Sequence, residues 1–207
     1  RRRKNLHIIT HAHAEKLLFN GKRCVGVQVR INGISQDVHA GREVILSAGA
    51  IGSPQLLMVS GIGAASELAE HGIAIKNDLP GVGKNMQDHL QARPIFKTTA
   101  STINLEINNI FKRMRIALIY AASRSGPMAM AVSLGTGFLK SDPALDRPDI
   151  QFHIQPFSAD SPSKGPHAFS AFTASVLQLR PESTGTLSLR SASMHDDPVI
   201  RPNYLAT

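Results

Sequence analysis

Glu43-Val44-Ile45-Leu46-Ser47-Ala48-Gly49-Ala50-Ile51-Gly52-Ser53-Pro54-Gln55-Leu56-Leu57-Met58-Val59-Ser60-Gly61-Ile62-Gly63 is the stretch that decides the fold. Glu43 to Ser47 is a short, nearly continuous apolar run, the kind of segment buried on both faces of a sheet. Ser53-Pro54 then supplies an N-cap with proline at the first helical position, and Leu56-Leu57-Met58-Val59 carries the helix to a break at Ser60-Gly61. A buried strand thus passes through Ala48-Gly49-Ala50-Ile51-Gly52 into a helix. Small residues at such a turn let a flat ligand or a phosphate approach backbone N–H groups closely. Tight packing of a helix on a sheet demands the same small residues, so the pattern alone leaves both readings open.

Upstream, the chain reads as strands. Leu6, Ile8 and Thr10 alternate with His7 and Ile9, and Leu17-Leu18-Phe19 runs into Asn20-Gly21. Asn-Gly is a strong hairpin signal because a type I′ turn needs positive φ at both central residues. Val25, Val27 and Val29 return at period two, and a second Asn32-Gly33 turns the chain into a third strand around Gln36–His39. The pattern predicts a β-meander. Downstream, a short helix over Ala64–His71 stops at Gly72, which suits a left-handed C′ position, and residues 79–85 form a loop.

Beyond residue 90 the texture changes. A strand is expected near Arg93–Thr98 and a helix over Leu105–Ser123, with Ile107, Ile110, Phe111, Met114 and Leu118 on one face. Strand patterns follow at Ile150–Ile154, Ala168–Leu179 and Leu187/Leu189, separated by Pro- and Gly-containing loops. The reading is an α+β chain of two domains, 1–90 and 91–207, the second an antiparallel sheet with covering helices.

Composition narrows the function. A chain of 207 residues with 42% hydrophobic and 18% charged side chains is globular and can bury a core. One cysteine, Cys24, excludes a disulfide framework and a cysteine-cluster zinc site. No apolar run approaches the roughly 18 residues that span a bilayer. The net charge of +8 invites a nucleic-acid partner, but four of the 23 basic residues sit in the first four positions and there is no Trp. Solvated surface charge therefore accounts for the balance, and no nucleic acid is expected. The Gly-x-Gly pairs at Gly61, Gly81 and Gly135 are followed at the closing position by Ser66, Met86 and Lys140, so the dinucleotide fingerprint is absent, as are phosphate-loop and zinc-protease motifs. His11 and His13 share a strand face, but with no third ligand nearby no metal is expected. The opening Arg1-Arg2-Arg3-Lys4, without Met, suggests a piece of a longer protein.

At the central stretch a resemblance becomes specific. Gly49 through Gly63 resembles the second signature of the glucose–methanol–choline (GMC) family of flavin oxidoreductases. Asn5-Leu6 through Val27 is similar to that family's hairpin, and Leu79-Pro80-Gly81-Val82-Gly83-Lys84-Asn85-Met86-Gln87-Asp88-His89 to its Gly-x-Asn-Leu-Gln-Asp-His stretch, with Met for Leu. Pro148-Asp149-Ile150-Gln151-Phe152-His153, Leu179-Arg180-Pro181 and Pro202-Asn203-Tyr204-Leu205 fall in the family's order, so the resemblance covers essentially the whole chain.

The resemblance implies part of an α/β FAD-binding domain with a β-meander over 1–90 and a substrate-binding domain over 91–207. It implies FAD as cofactor and oxidation of an alcohol to an aldehyde or ketone by hydride transfer to flavin, with oxygen or a quinone-type compound as electron acceptor. The family's Gly-x-Gly-x-x-Gly strand and catalytic His are expected outside these residues, so no catalytic residue is assigned and the piece alone is expected to be inactive. Ala14, Ser47, Ala48 and Gly49 are the implied cofactor-binding residues; for Ala14 an ordinary strand role fits equally. Asp88 and His89 fall at the crossing between domains, where a structural hydrogen bond serves as well as a ligand role. His153 is the implied substrate-orienting residue, with a sheet-surface histidine as the alternative. Leu134 stands where choline-oxidising members carry Glu; the missing countercharge favours an uncharged alcohol. A homo-oligomer is compatible with this, and a cytoplasmic location, at most peripheral to a membrane, is expected. The remaining alternatives are a basic nucleic-acid module and a flavin-containing lyase on the same scaffold.

Overall fold

The structure is a computed structural model that describes residues 3–131, 133–161 and 164–207. The described residues form two compact units, one of residues up to Asp88 together with Glu182–Thr207, the other His89–Pro181. The boundary falls close to residue 90, but the C-terminal residues, expected in the second domain, pack with the first unit. The cause is apolar: Leu187 and Leu189 are buried in the same core as Leu56, Met58 and Leu68.

The first unit opens with an antiparallel meander, β1 (Ala12–Asn20), β2 (Arg23–Ile31) and β3 (Ile34–His39). The second turn has positive φ at both Asn32 and Gly33, as a type I′ turn requires. The first turn differs from expectation: Asn20 pairs with Arg23, so the central residues are Gly21-Lys22, and only Gly21 has positive φ. That is the type II′ pattern, with glycine first. Residues 6–10 lie in no strand, against the alternation read there. The ladder with β2 ends at Ala12–Ile31, where β2 turns away into Asn32-Gly33.

The expected interior strand over Glu43–Ser47 is likewise not formed. These residues form no ladder with any described segment, and Ile45 is 79% exposed while Val44 and Leu46 pack partly buried against the core. The helix that follows, α1 (Gly49–Val59), begins four residues before the expected N-cap. Ser53 therefore sits inside it, and its hydroxyl accepts from the Ala48 N–H instead (3.0 Å). Pro54 costs one ladder donor within that helix.

α1 packs on β1 through Leu56, Met58 and Val59, with Leu17 between them. Ser60, buried at the helix C-cap, accepts from the Leu17 N–H (2.8 Å) and donates to Leu56 O (2.6 Å), so the helix end satisfies a donor on the open edge of β1. A short parallel pair follows, β4 (Ile62–Gly63) and β5 (Asn77–Asp78), around α2 (Ala65–Glu70), which stops at left-handed Gly72 as read. Gly83 has φ +76, and a Cβ there would overlap Leu187 O, so only glycine fits.

The second unit is built on an antiparallel sheet. β6 (Gln91–Ala92) and β7 (Ile95–Lys97) replace the one expected strand, because Pro94 between them has no N–H for a ladder. α3 (Ile103–Asn108) and α4 (Ile110–Ser123) replace the one expected helix; Asn109 separates them and caps the second by accepting from the Lys112 N–H. The strands β8 (Gly135–Leu139), β9 (Ile150–Gln155) and β10 (Ala171–Gln178) follow, in the order β6-β10-β9-β8 with β7 also on β10. Asn104 of α3 is fully buried; its amide donates to Ser158 O and His167 O and its carbonyl accepts from the Ser158 N–H. The apolar face expected on α4 is not covered: Ile110, Phe111, Met114 and Leu118 are all exposed, and Ile116 is its one buried residue. Back in the first unit, β11 (Thr186–Ser188) pairs with β12 (Val199–Arg201).

Candidate functional site

Two sets of site residues were expected, and the structure places one in each unit. Ser47, Ala48 and Gly49 lead into the N-terminus of α1 and are exposed. Gly49 has φ +80, and a Cβ there would meet nothing within 4 Å. Glycine is therefore required by the backbone, and the space beside it is open. No side chain caps the helix, so its first N–H groups face an uncrowded surface. That is a surface on which an anionic or flat polar group can lie against the main chain. Ala14 lies on β1 opposite Val29, at an irregularity before Lys16, and packs against the core that α1 shares.

In the second unit the register of β8, β9 and β10 builds one sheet face. His153 pairs with Ser175 on one side and Thr136 on the other, and Gln155 pairs with Thr173. Directly opposite residues share a face, and so do residues two apart on one strand. His153, Gln155, Thr136, Thr173 and Ser175 thus look out of the same side. The register of Val176–Ala92 and Thr173–Ile95 carries Arg93 to the position beside Ser175 on that side. Leu134 lies one residue before β8, and its N–H donates to Ile154 O (2.9 Å), which sets its backbone beside the His153 strand. Thr136, not Leu134, is directly across from His153.

Sequence reading missed Arg93, Gln155 and Ser175, because cross-strand register is what brings them to His153. The Gln155 carbonyl oxygen and the Ser175 hydroxyl are buried and have no hydrogen-bond partner among the described residues. Such groups cost free energy unless something else satisfies them.

Asp88, His89 and His13 each take part in a hydrogen bond within the chain. Asp88 accepts a short hydrogen bond from the Tyr204 hydroxyl, which raises the Tyr204 pKa above its usual range. The His89 ring nitrogen bonds to Leu179 O at 3.0 Å. His13 bonds to Met194 O and stacks on His195 with ring centroids 4.6 Å apart; among the described residues no group of three His, Cys, Asp or Glu side chains could hold a metal ion. A polar cluster at β1 was also missed. The Glu15 carboxylate accepts from Ser35 (2.5 Å), His195 (2.9 Å) and Arg30 (2.7 Å), which hold its pKa at about 2, the Ser35 bond contributing most.

Residues 1–91 match the family model for GMC oxidoreductase. The chain is 42% identical over 207 residues to the alcohol dehydrogenase [acceptor] of Pseudomonas putida, covering 99% of this chain and 38% of that protein. It is 42% identical over 208 residues to human mitochondrial choline dehydrogenase, covering 99% of this chain and 34% of that one. The chain is similar to GMC oxidoreductases along its whole length. Its fold superposes on the crystal structure of formate oxidase with a TM-score of 0.87 and 27% identity, covering all of this chain and 41% of that one. The chain thus spans 34% to 41% of the length of these proteins. The stretch Gly49–Gly63 begins at the open turn before α1, and the stretch Pro148–His153 runs into β9.

Proposed function

We propose that this chain forms part of an FAD-dependent oxidoreductase that converts an alcohol to an aldehyde or ketone. The observation that carries this reading is the open turn Ser47–Gly49 at an uncapped helix N-terminus, in a chain aligned over 99% of its length with alcohol and choline dehydrogenases. The turn fits the cofactor, because Gly49 is held at positive φ and leaves the first-turn N–H groups reachable. Ser47, Ala48 and Gly49 would hold the flavin nucleotide by main-chain contact, with Ala14 toward the adenine. When bound, the flavin supplies a two-electron acceptor for a hydride from the carbinol carbon.

His153 binds and orients the substrate hydroxyl from the sheet face it shares with Ser175 and Thr136. Leu134 beside it offers a quaternary ammonium no countercharge, so the preferred substrates are not choline-like. Electrons pass on to oxygen or a quinone-type acceptor. The bare apolar face of α4 supports assembly as a homo-oligomer, and the enzyme works in the cytoplasm or at a membrane surface. No helix of the described residues is long and apolar enough to cross a membrane. Neither the nucleic-acid module nor the flavin lyase gains support from relatives named as dehydrogenases.

The test is anaerobic titration of the full-length protein with primary alcohols, followed by flavin absorbance. Bleaching by neutral alcohols ahead of choline is the expected result. A protein that takes up no FAD, or whose flavin no alcohol bleaches, overturns the reading.

A further inference from the structure

A cavity of about 450 Å³ opens in the second unit, on the sheet face that carries His153. Its wall includes Gln91 and Arg93 from the β6 edge, Ile107 from α3, and Gln155 and Phe157 from the end of β9. Volume and mostly apolar lining with a few convergent polar groups are those of a small-molecule site. Two observations say what chemistry fits it. First, the Gln155 side chain is 8% exposed, lines the cavity, and has a carbonyl oxygen with no donor among the described residues. A buried acceptor in that state calls for a ligand O–H or N–H. Second, the charge is of one sign. Arg93 and Lys164 line the cavity and no described carboxylate does. Lys164 is paired with Asp160 outside the lining (3.5 Å), whereas the Arg93 guanidinium has no hydrogen bond or ion pair among the described residues.

We infer that this cavity is a subsite for a hydroxycarboxylate: the carboxylate lies on Arg93, the hydroxyl donates to the Gln155 carbonyl oxygen, and the carbon chain rests against Ile107 and Phe157. Gln155 is two residues from His153 on one face of β9, roughly 7 Å along the strand. A ligand so held has its carbinol end on the face of β9 that also carries His153. This rests on the reading of the chain as part of an alcohol-oxidising flavoenzyme, and it names the substrate class. It also explains a bias against choline that Leu134 alone leaves passive, since a cationic wall repels a trimethylammonium group.

The experiment uses the full-length protein with its flavin and three probes: ω-hydroxyhexanoate, hexanoate and hexanol. Isothermal calorimetry is expected to give affinities in that order. Arg93→Gln should weaken ω-hydroxyhexanoate and hexanoate about ten- to hundredfold, the range for loss of a charge-assisted hydrogen bond, and leave hexanol unchanged. Arg93→Lys should keep most of the binding. Gln155→Met should bring ω-hydroxyhexanoate down to the affinity of hexanoate. In turnover, kcat/KM for ω-hydroxyhexanoate should exceed that for hexanol, with the Arg93→Gln loss in KM. Equal affinity for ω-hydroxyhexanoate and hexanol, or equal losses for both in Arg93→Gln, overturns the subsite. Should no alcohol bleach the flavin while ω-hydroxyhexanoate binds in an Arg93-dependent way, the subsite stands and the proposed reaction falls.

Discussion

Ser60→Ala tests how the open turn is held in place. Ser60 is 1% exposed, and its hydroxyl does two things: it accepts the Leu17 N–H at 2.8 Å and donates to Leu56 O at 2.6 Å. The second bond is dispensable, because Leu56 O also accepts from the Ser60 N–H at 3.2 Å. The first is not. Leu17 lies on the outer strand of the meander and is 6% exposed, so among the described residues neither a further strand nor water replaces the lost acceptor. Orphaning one buried N–H costs about 1–3 kcal/mol, and the spare bond on Leu56 adds little. The expected loss is therefore about 2 kcal/mol, read from the urea midpoint of the full-length protein. Hydrogen exchange at the Leu17 amide gives the local signature, with protection falling at least about tenfold. A loss below about 0.5 kcal/mol with the Leu17 amide still protected would refute the claim that Ser60 fixes α1 to β1.

Other changes read other links. Gly83→Ala should destabilise by about 2 kcal/mol or more, since both the positive φ and the overlap with Leu187 O oppose it; Gly81→Ala, with open space around it, should be nearly neutral by the same urea assay. Gly49→Val should cost about 1–2 kcal/mol in stability through its φ alone and, separately, lower flavin retention on gel filtration. The Glu15 pKa is depressed from 4.5 to about 2, so its contribution to stability is complete above the unfolded value and disappears as pH falls from about 4.5 toward 2. Ser35→Ala removes the largest cause, so the Glu15 carboxyl should titrate at higher pH by NMR and the acid loss of stability should begin earlier. His153→Ala should lower kcat/KM for alcohols about a hundredfold without loss of flavin, measured with an artificial electron acceptor.

How much was readable follows from how local each signal is. The meander was legible because Asn32-Gly33 and the alternation of Val25, Val27 and Val29 act within a few residues. The first turn slipped by one because Gly21-Lys22 satisfies the twist of the flanking strands as well as Asn20-Gly21 would, and only pairing decides. The sheet face around His153 was legible at one residue and no further. Arg93, Thr136, His153 and Ser175 are spread over more than 80 residues of chain, and no spacing in sequence foretells a register among four strands. Helix α4 shows the same limit from the other side, since period 3.6 identifies an apolar face in Phe111, Met114 and Leu118 but says nothing about what covers it.

Residues 43–47 carry this furthest. Apolar content without alternation reports a demand to be buried on two sides, and a ladder is a property of two strands. Val44 and Leu46 meet part of that demand against the core below them, while Ile45 and the neighbouring backbone keep theirs unmet among the described residues. The segment therefore remains a strand in its side chains and not in its hydrogen bonds. Its demand predicts what a hydrogen-exchange map of the full-length protein should find there: slow exchange from residue 44 to 46 if partner strands flank it, and free exchange if the arrangement described here is the whole of its environment.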